Sequence, residues 1–142
     1  MTYHQKGLCA MTDYKHYLRI SLTGRMDIKT FDPATDVNDV IHDELDGAFY
    51  EVVRCRSLPR KYLMLVDDCG AIKGMPVNSV ASELYGIRKH GCPIFGTALI
   101  MREALIDNEP DIVGLTNSDC DELIDCMKKL IVIRNGWTGE EM

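Results

Sequence analysis

The chain has 142 residues, of which 46% are hydrophobic and 27% charged, and its formal net charge is −6 at pH 7. This length fits a single domain over residues 1–142, with tails at 1–14 and 135–142, and no repeat or low-complexity tract indicates a solenoid or disorder. The acidic balance argues against general nucleic-acid binding, because phosphate neutralisation needs a basic surface.

The N-terminal half predicts a hairpin, a helix and two strands. Segments 17–22 and 26–31 alternate around Thr23-Gly24-Arg25 and predict the hairpin. Apolar residues at helical spacing predict a helix from about Asp36 to Asp46, ending at Gly47. Segments 48–55 and 61–66 are rich in aromatic and β-branched residues and predict strands.

The centre of the chain predicts a turn at residues 67–70, followed by a short hairpin strand at 71–73. Asn78 predicts the N-cap of a helix that runs through Tyr85 and ends at Gly86. Segment 93–101 predicts a buried strand in the middle of the sheet, with Gly96 at a bulge.

A last helix is predicted to begin at Ser118, with Asp121 completing a capping box and an apolar stripe running from Cys120 to Ile131. We expect Trp137 either to anchor the C-terminal tail or to contribute to an oligomer contact. Because strands and helices occur in runs, we predict an α+β fold: a mixed, mostly antiparallel sheet of five or six strands with two or three helices packed on it.

The six cysteines form no CxxC pair and no zinc-binding spacing, and no secretory signal precedes them. The longest apolar runs are far shorter than the roughly 20 residues that cross a bilayer. We therefore expect reduced thiols, no metal, no cofactor, no membrane association and a cytoplasmic location.

No catalytic motif is visible in the sequence. The four histidines are scattered and predict surface positions: His4, His16, His42 and His90. The carboxylate pairs 67–68 and 140–141 are adjacent in sequence, and such side chains diverge in extended backbone. We predict that the protein is not an enzyme.

Charges are unevenly distributed along the chain. Two acidic stretches contain the residues Asp32, Asp36, Asp39, Asp43, Glu44, Asp46, Glu51 and Asp107, Glu109, Asp111, Asp119, Asp121, Glu122, Asp125. Between them lies a basic cluster of Arg54, Arg56, Arg60 and Lys61. Solvated helix faces and a charged strand edge would account for this pattern; an acidic surface for a basic partner, or a basic pocket for phosphates, would also do so.

An ordered series of motifs lies in the central part of the chain: the run from Asp68 to Asn78, then Ala81 and Leu84, then the segment from Ile94 to Ile100. With this series, residues 16–133 resemble a family catalogued as domain of unknown function 3846. Segment 47–53 also resembles the family's Gly-Gly-x-hydrophobic-Glu segment, with Ala48 in place of the second glycine. The family carries no general activity. Its members occur mainly in phages and bacterial mobile elements, frequently near antirestriction genes, so the resemblance implies a setting in a bacterial host cell.

The leading hypothesis is a counter-defence protein that sequesters a nucleotide immune second messenger at an oligomer interface. Arg54 and Arg56 would share a strand face and clamp phosphate oxygens, together with Arg60 and Lys61. Asn78 would read a polar edge of the ligand, in addition to or instead of capping its helix, and Tyr85 would offer a stacking surface: these are the ligand-binding residues Arg54, Arg56, Arg60, Lys61, Asn78 and Tyr85.

The alternative hypothesis is a protein–protein inhibitor, of the anti-CRISPR or antirestriction type, whose acidic stretches occupy a nucleic-acid channel of a defence nuclease. A structural or regulatory protein of the mobile element is a third alternative. Eight methionines, Trp137 and apolar strand positions also predict a homo-oligomer.

Overall fold

The computed structural model describes residues 11–87 and 91–135, and the side chains of residues 12–87 and 91–129. The strands in this part of the chain are β1 His16–Ile20, β2 Met26–Thr30, β3 Tyr50–Val53, β4 Tyr62–Asp67, β5 Ala98–Ile106 and β6 Glu109–Val113. The helices are α1 Val37–Glu44, α2 Ser79–Tyr85 and α3 Asn117–Asn135, and a 3-10 helix, Met11–Asp13, precedes β1. The predicted α+β fold is confirmed.

The six strands form one sheet: five lie in the order β2-β1-β5-β4-β3, and β6 also pairs with β5. Every pairing between them is antiparallel. The long strand β5 pairs with β1 through Ala98–Ile100 and with β6 through Arg102–Ile106. Its other side pairs with β4, whose six residues are all buried. Strands β4 and β5 are therefore the centre of the sheet.

Helices cover both faces of the sheet. Helices α2 and α3 pack on one face, around a core that includes Ile20, Met64, Leu84, Ile100 and Leu123. Helix α1 packs on the other face, where its buried residues meet β1, β4 and β5: Tyr17, Ile41, Leu45, Leu65, Leu99 and Met101. Among the described helices none is both long enough and apolar enough to cross a membrane.

Two of the helix predictions are confirmed in detail, and one is shifted. Helix α1 lies within the predicted range 36–46, and the Asp36 carboxylate accepts from the Asn38 N–H at 2.9 Å. Asn78 caps α2 as predicted. The capping box of α3 is instead formed by Thr116 and Asp119, which exchange N–H to side-chain hydrogen bonds at 2.9 and 3.1 Å, and so the predicted cap at Ser118 is wrong.

Two strand predictions need correction, and one strand has no counterpart among the predictions. Residues 71–73 form a turn, closed by the Lys73 N–H donating to the Cys69 carbonyl at 2.9 Å, because β3 and β5 already occupy both sides of β4. The strand predicted over 93–101 begins only at Ala98, after Gly96 at φ 83°, and continues to Ile106. Strand β6 was not predicted from the sequence.

Several predictions concern residues outside the described parts of the chain. These are the surface positions of His4 and His90, the thiol of Cys9, the pair Glu140-Glu141 and the role of Trp137.

Candidate functional site

Helix α1 separates apolar and acidic side chains onto opposite sides. Its apolar residues Ile41 and Leu45 are buried against the sheet. Asp36, Asp39 and Asp43 recur at i, i+3 and i+7, which places them together on the exposed side of the helix. The local sequence thus builds a helix that presents one negatively charged side to solvent.

Two adjacent grooves flank α1 and have volumes of about 670 and 440 Å³. They share the side chains of Phe31 and Thr35. Of the residues that the structure describes, no lysine or arginine lines either groove, and five aspartates do: Asp39, Asp43 and Asp46 in the first, Asp36 and Asp111 in the second. We call these five residues and the grooves between them the acidic face.

An exposed aromatic residue stands beside the acidic face. The Phe49 side chain is 77% exposed, and its ring lies nearly perpendicular to the His42 ring, with 6.4 Å between the ring centroids. His42 itself lines the larger groove. The sequence predicts Phe49 to lie in a strand. Its position two residues after Gly47 is the only sequence signal that could have indicated an exposed side chain.

The acidic face does not converge on a metal ion. No group of three histidine, cysteine, aspartate or glutamate side chains in the described residues lies close enough to bind one. The aspartates are spread over α1, the residues on either side of it and strand β6, a spacing that suits an extended partner surface better than a small cation.

Glu44 belongs to the first acidic stretch but not to the acidic face. Its carboxylate turns toward the sheet and contacts Arg19 at 2.9 Å, Lys29 at 3.3 Å and the hydroxyl of Tyr17. Burial alone would raise the pKa of Glu44, but the hydrogen bonds from Tyr17, Lys29 and Arg19 outweigh it and hold this pKa below its ordinary value. Glu44 therefore anchors α1 to the sheet.

The second acidic stretch does not form one surface. Asp111 joins the acidic face, while Asp119 is buried at the start of α3 and accepts from Arg102 at 3.1 Å and contacts Lys61 at 3.4 Å. Burial would raise the pKa of Asp119, but the Thr116 N–H and the Arg102 charge lower it overall. Glu122 binds Lys61 at 3.1 Å. Long-range pairing thus neutralises part of this stretch.

Three of the predicted ligand residues come together. Arg54, Arg56 and Arg60 line a groove of about 320 Å³ whose floor is formed by Cys55, Leu58 and Tyr62. Strand β3 ends at Val53, and so the predicted clamp of Arg54 and Arg56 on one strand face is replaced by a loop arrangement. We call this feature the arginine groove.

The charges of the basic cluster are partly neutralised. Arg54 pairs with Glu103 at 3.0 Å and also donates to the Arg60 carbonyl. Lys61 points to the start of α3, away from the arginine groove. Neither Arg56 nor Arg60 forms an ion pair with a described side chain. The aliphatic part of the Arg56 side chain packs against Gly86.

Asn78 and Tyr85 do not line the arginine groove, although the Tyr85 carbonyl accepts from the Arg56 N–H at 3.4 Å. Asn78 is fully buried; its amide donates to the carbonyls of Ile20 at 3.0 Å and Gly96 at 2.9 Å, while its oxygen accepts from the Ala81 N–H at 3.1 Å. Both amide hydrogens are committed, and no surface of the side chain remains for a ligand. Tyr85 lines a separate groove of about 380 Å³ together with Asp67 and Asp68.

The described histidines and cysteines show no catalytic arrangement. The His16 ring lies between the Thr30 hydroxyl at 2.9 Å and the Asn117 side-chain oxygen at 2.8 Å, a bridge between β1, β2 and α3. Cys55 is buried, and burial raises the pKa of its thiol to about 12. The described cysteines form no disulfide with one another.

Comparison with known proteins adds no further information on function: no family model, no curated protein and no solved structure matches this chain. The resemblance to the mobile-element family therefore stays a prediction, and the candidate binding surfaces of the chain are the acidic face and the arginine groove.

Proposed function

We propose that the protein is a non-enzymatic binding protein whose acidic face engages a basic surface of a partner protein. The observation that carries this proposal is the lining of two adjoining grooves by five aspartates without a lysine or arginine among the described residues. Like charges that line one surface repel each other, and a basic partner would relieve that repulsion.

The surroundings of the acidic face suit protein recognition. Exposed carboxylates steer a basic partner during encounter, whereas affinity usually comes from a few well-packed aromatic or apolar side chains. Phe49 offers such an anchor next to the acidic charges, because its ring projects from the surface. The combination of exposed charges and an exposed aromatic side chain is typical of a protein-binding surface rather than of a small-molecule pocket.

The proposed setting is counter-defence in a bacterial cell. What supports it is the resemblance of residues 16–133 to a family found in phages and mobile elements. The basic partner would then be the nucleic-acid channel of a defence nuclease, where acidic side chains take the place of phosphates. In this proposal inhibition needs affinity and not catalysis.

Charge reversal tests the proposal. The variant Asp39→Lys/Asp43→Lys removes the centre of the acidic face, and Asp121→Lys/Asp125→Lys, on the exposed side of α3, makes the same change in net charge elsewhere. Inhibition of a panel of purified defence nucleases should be lost in the first variant, retained in the control, and weakened by salt in the wild type. Equal inhibition by all three proteins, or none by the wild type, would contradict the proposal.

A second candidate function is supported by the arginine groove. Arg56 and Arg60 have no carboxylate partner among the described residues, and with Arg54 they line a volume of about 320 Å³ over an apolar floor. Guanidinium groups bind phosphate oxygens bidentately, and this volume lies at the lower end of the range for small-ligand pockets. Sequestration of a nucleotide immune second messenger would use this groove.

Ligand-induced stabilisation tests the second function. A ligand at 100 times its dissociation constant stabilises the fold by about 2.7 kcal/mol, which raises the melting temperature measurably. Cyclic dinucleotides, cyclic trinucleotides and ADP-ribose derivatives are the probes. The shift should disappear in Arg56→Ala and Arg60→Ala and persist in Arg25→Ala, since Arg25 lies in the exposed β1–β2 turn. A shift that survives all three variants would exclude the arginine groove.

A further inference from the structure

Strand β2 lies at one end of the sheet and has one unpaired side. It is the last strand in the sheet order, and no described strand pairs with its outer side. Two hydrogen bonds, from the Phe31 N–H to the Lys15 carbonyl and from the Ser21 N–H to the Arg25 carbonyl, flank the β1–β2 ladder. Because antiparallel ladders alternate, the outward N–H and C=O groups of β2 belong to Met26, Ile28 and Thr30.

An apolar groove runs beside this free edge. It has a volume of about 290 Å³ between β2 and α3, and its lining consists of Leu18, Met26, Ile28, Leu123, Ile124, Met127 and Lys128. Ile28 and Ile124 are 39% and 43% exposed. An open strand edge next to exposed isoleucines is a surface on which another strand can add.

The sequence of β2 is complementary to itself when the strand is reversed. We propose that β2 pairs antiparallel with β2 of a second copy of this chain, about a two-fold axis at Ile28. In this register the outward groups of the two Ile28 residues bond to each other, and Met26 faces Thr30. Asp27 of each copy lies opposite Lys29 of the other, and two attractive charge pairs result.

Existing contacts of these charges do not prevent the pairing. Asp27 contacts Arg25 at 2.9 Å and Lys29 contacts Glu44 at 3.3 Å within one copy, and the two cations are 76% and 46% exposed. The exposed Arg25–Asp27 pair contributes little and leaves Asp27 able to bind a second cation. Lys29 is half exposed and is one of three groups that contact Glu44, so its ammonium can bind a second carboxylate while Arg19 and Tyr17 still hold Glu44.

The other end of the sheet is a poorer candidate for self-pairing. At β3 the Asp68 N–H donates to the Phe49 carbonyl, so the outward backbone groups belong to Tyr50 and Val52. A two-fold axis at Val52 would place Glu51 opposite Val53, without charge complementarity. The free edge of β2 is therefore the one that suits pairing with a second copy of the chain, and the edge of β3 is not.

The proposed dimer does not depend on the proposed function, but it would affect it. Paired residues of an antiparallel ladder lie on the same face of the sheet. The dimer would contain one continuous sheet of twelve strands, six from each copy. Both apolar grooves would lie on the side of this sheet that carries α3, and both acidic faces would lie on the opposite side. A partner with two basic sites would bind such a dimer bivalently.

Light scattering after size exclusion tests the dimer on the full chain. The wild type should be dimeric and Ile28→Lys monomeric, whereas Ile72→Lys, at an isoleucine that is 87% exposed in a remote turn, should remain dimeric. A monomeric wild type, or equal behaviour of the two variants, would overturn the proposal. A chain that dimerises only after deletion of residues 136–142 would assign the groove to its own C-terminal residues and would overturn it as well.

A charge exchange tests the register itself. Asp27→Lys and Lys29→Asp should each weaken the dimer by roughly tenfold, because two attractive pairs become repulsive. An equimolar mixture of the two variants restores opposite charges at both positions, and native mass spectrometry should then show mainly the heterodimer. A mixture that dimerises no better than either variant alone would refute this register.

Discussion

The substitution Asn78→Asp should destabilise the fold strongly, although aspartate caps helices as well as asparagine does. The side-chain oxygen of residue 78 accepts the Ala81 N–H, a role that either residue fills. The amide nitrogen, however, donates to two buried carbonyls, those of Ile20 and Gly96. A carboxylate would place an acceptor against both carbonyl oxygens.

The magnitude follows from the groups left without partners. Two buried carbonyls lose their donors, at about 1 to 2 kcal/mol each, and a charge is buried without a cation beside it. We expect a loss of about 4 kcal/mol at neutral pH, a large share of an ordinary domain's stability. Asn78→Ser keeps a capping oxygen and adds no charge, so its loss should be about 2 kcal/mol.

Urea denaturation followed by circular dichroism measures these losses. Asp36→Asn, the reciprocal exchange at the N-cap of α1, is the control and should change stability by less than about 1 kcal/mol. The penalty of Asn78→Asp should grow as the pH rises above about 4, because burial raises the pKa of the introduced carboxyl and its protonated form can donate to one carbonyl. If Asn78→Asp stays within 1 kcal/mol of the wild type, Asn78 is only a helix cap.

Three further predictions concern buried charge, backbone conformation and thiol reactivity. Asp119→Asn should lose about 3 kcal/mol at neutral pH, because Arg102 and Lys61 lose their shared carboxylate. The pKa of Asp119 in the folded protein lies below the ordinary 3.8, so its contribution to the free energy of unfolding is present above that pH and disappears as the pH falls through the folded pKa. Urea titrations should therefore show the stabilities of the variant and the wild type converging in acid. A difference that stays constant with pH would contradict this. Gly86→Ala should lower the melting temperature more than Gly74→Ala. Both glycines have positive φ, but only at Gly86 would an added Cβ lie too close to a neighbour, 2.8 Å from the Cδ of Arg56. Equal losses in melting temperature would argue against this contact. Alkylation followed by peptide mass spectrometry should label exposed Cys92 well before buried Cys55, and similar rates would show that the core opens readily.

Features determined by neighbouring residues were predictable from the sequence. The helix at 36–46 and the cap at Asn78 depend on spacings of a few residues, and both are confirmed. The hairpin of β1 and β2 follows from alternation around Gly24 and is confirmed as well. Strand β6 was missed because its sequence, with Pro110 between acidic residues, lacks apolar alternation and owes its pairing to β5.

Features determined by distant residues were not predictable. Arg54 pairs with Glu103, 49 residues away, and Lys61 pairs with Asp119, 58 residues away. The sequence therefore could not show that carboxylates of distant segments partly neutralise the basic cluster. The burial of Asn78 likewise depends on carbonyls of two distant segments, those of Ile20 and Gly96. Of the predicted ligand residues, only Arg54, Arg56 and Arg60 line the same groove.

The position of β5 in the sheet also affects how the chain folds during synthesis. Its neighbours β1 and β4 are complete long before β5 leaves the ribosome, yet each depends on β5 for one side of its ladder. Until about residue 102 is available, β4 exposes an open edge and the apolar run from Leu63 to Val66. A nascent chain in this interval is prone to aggregation, and the high sequence separation of these pairings slows its folding. Premature termination before β5 should therefore yield insoluble product.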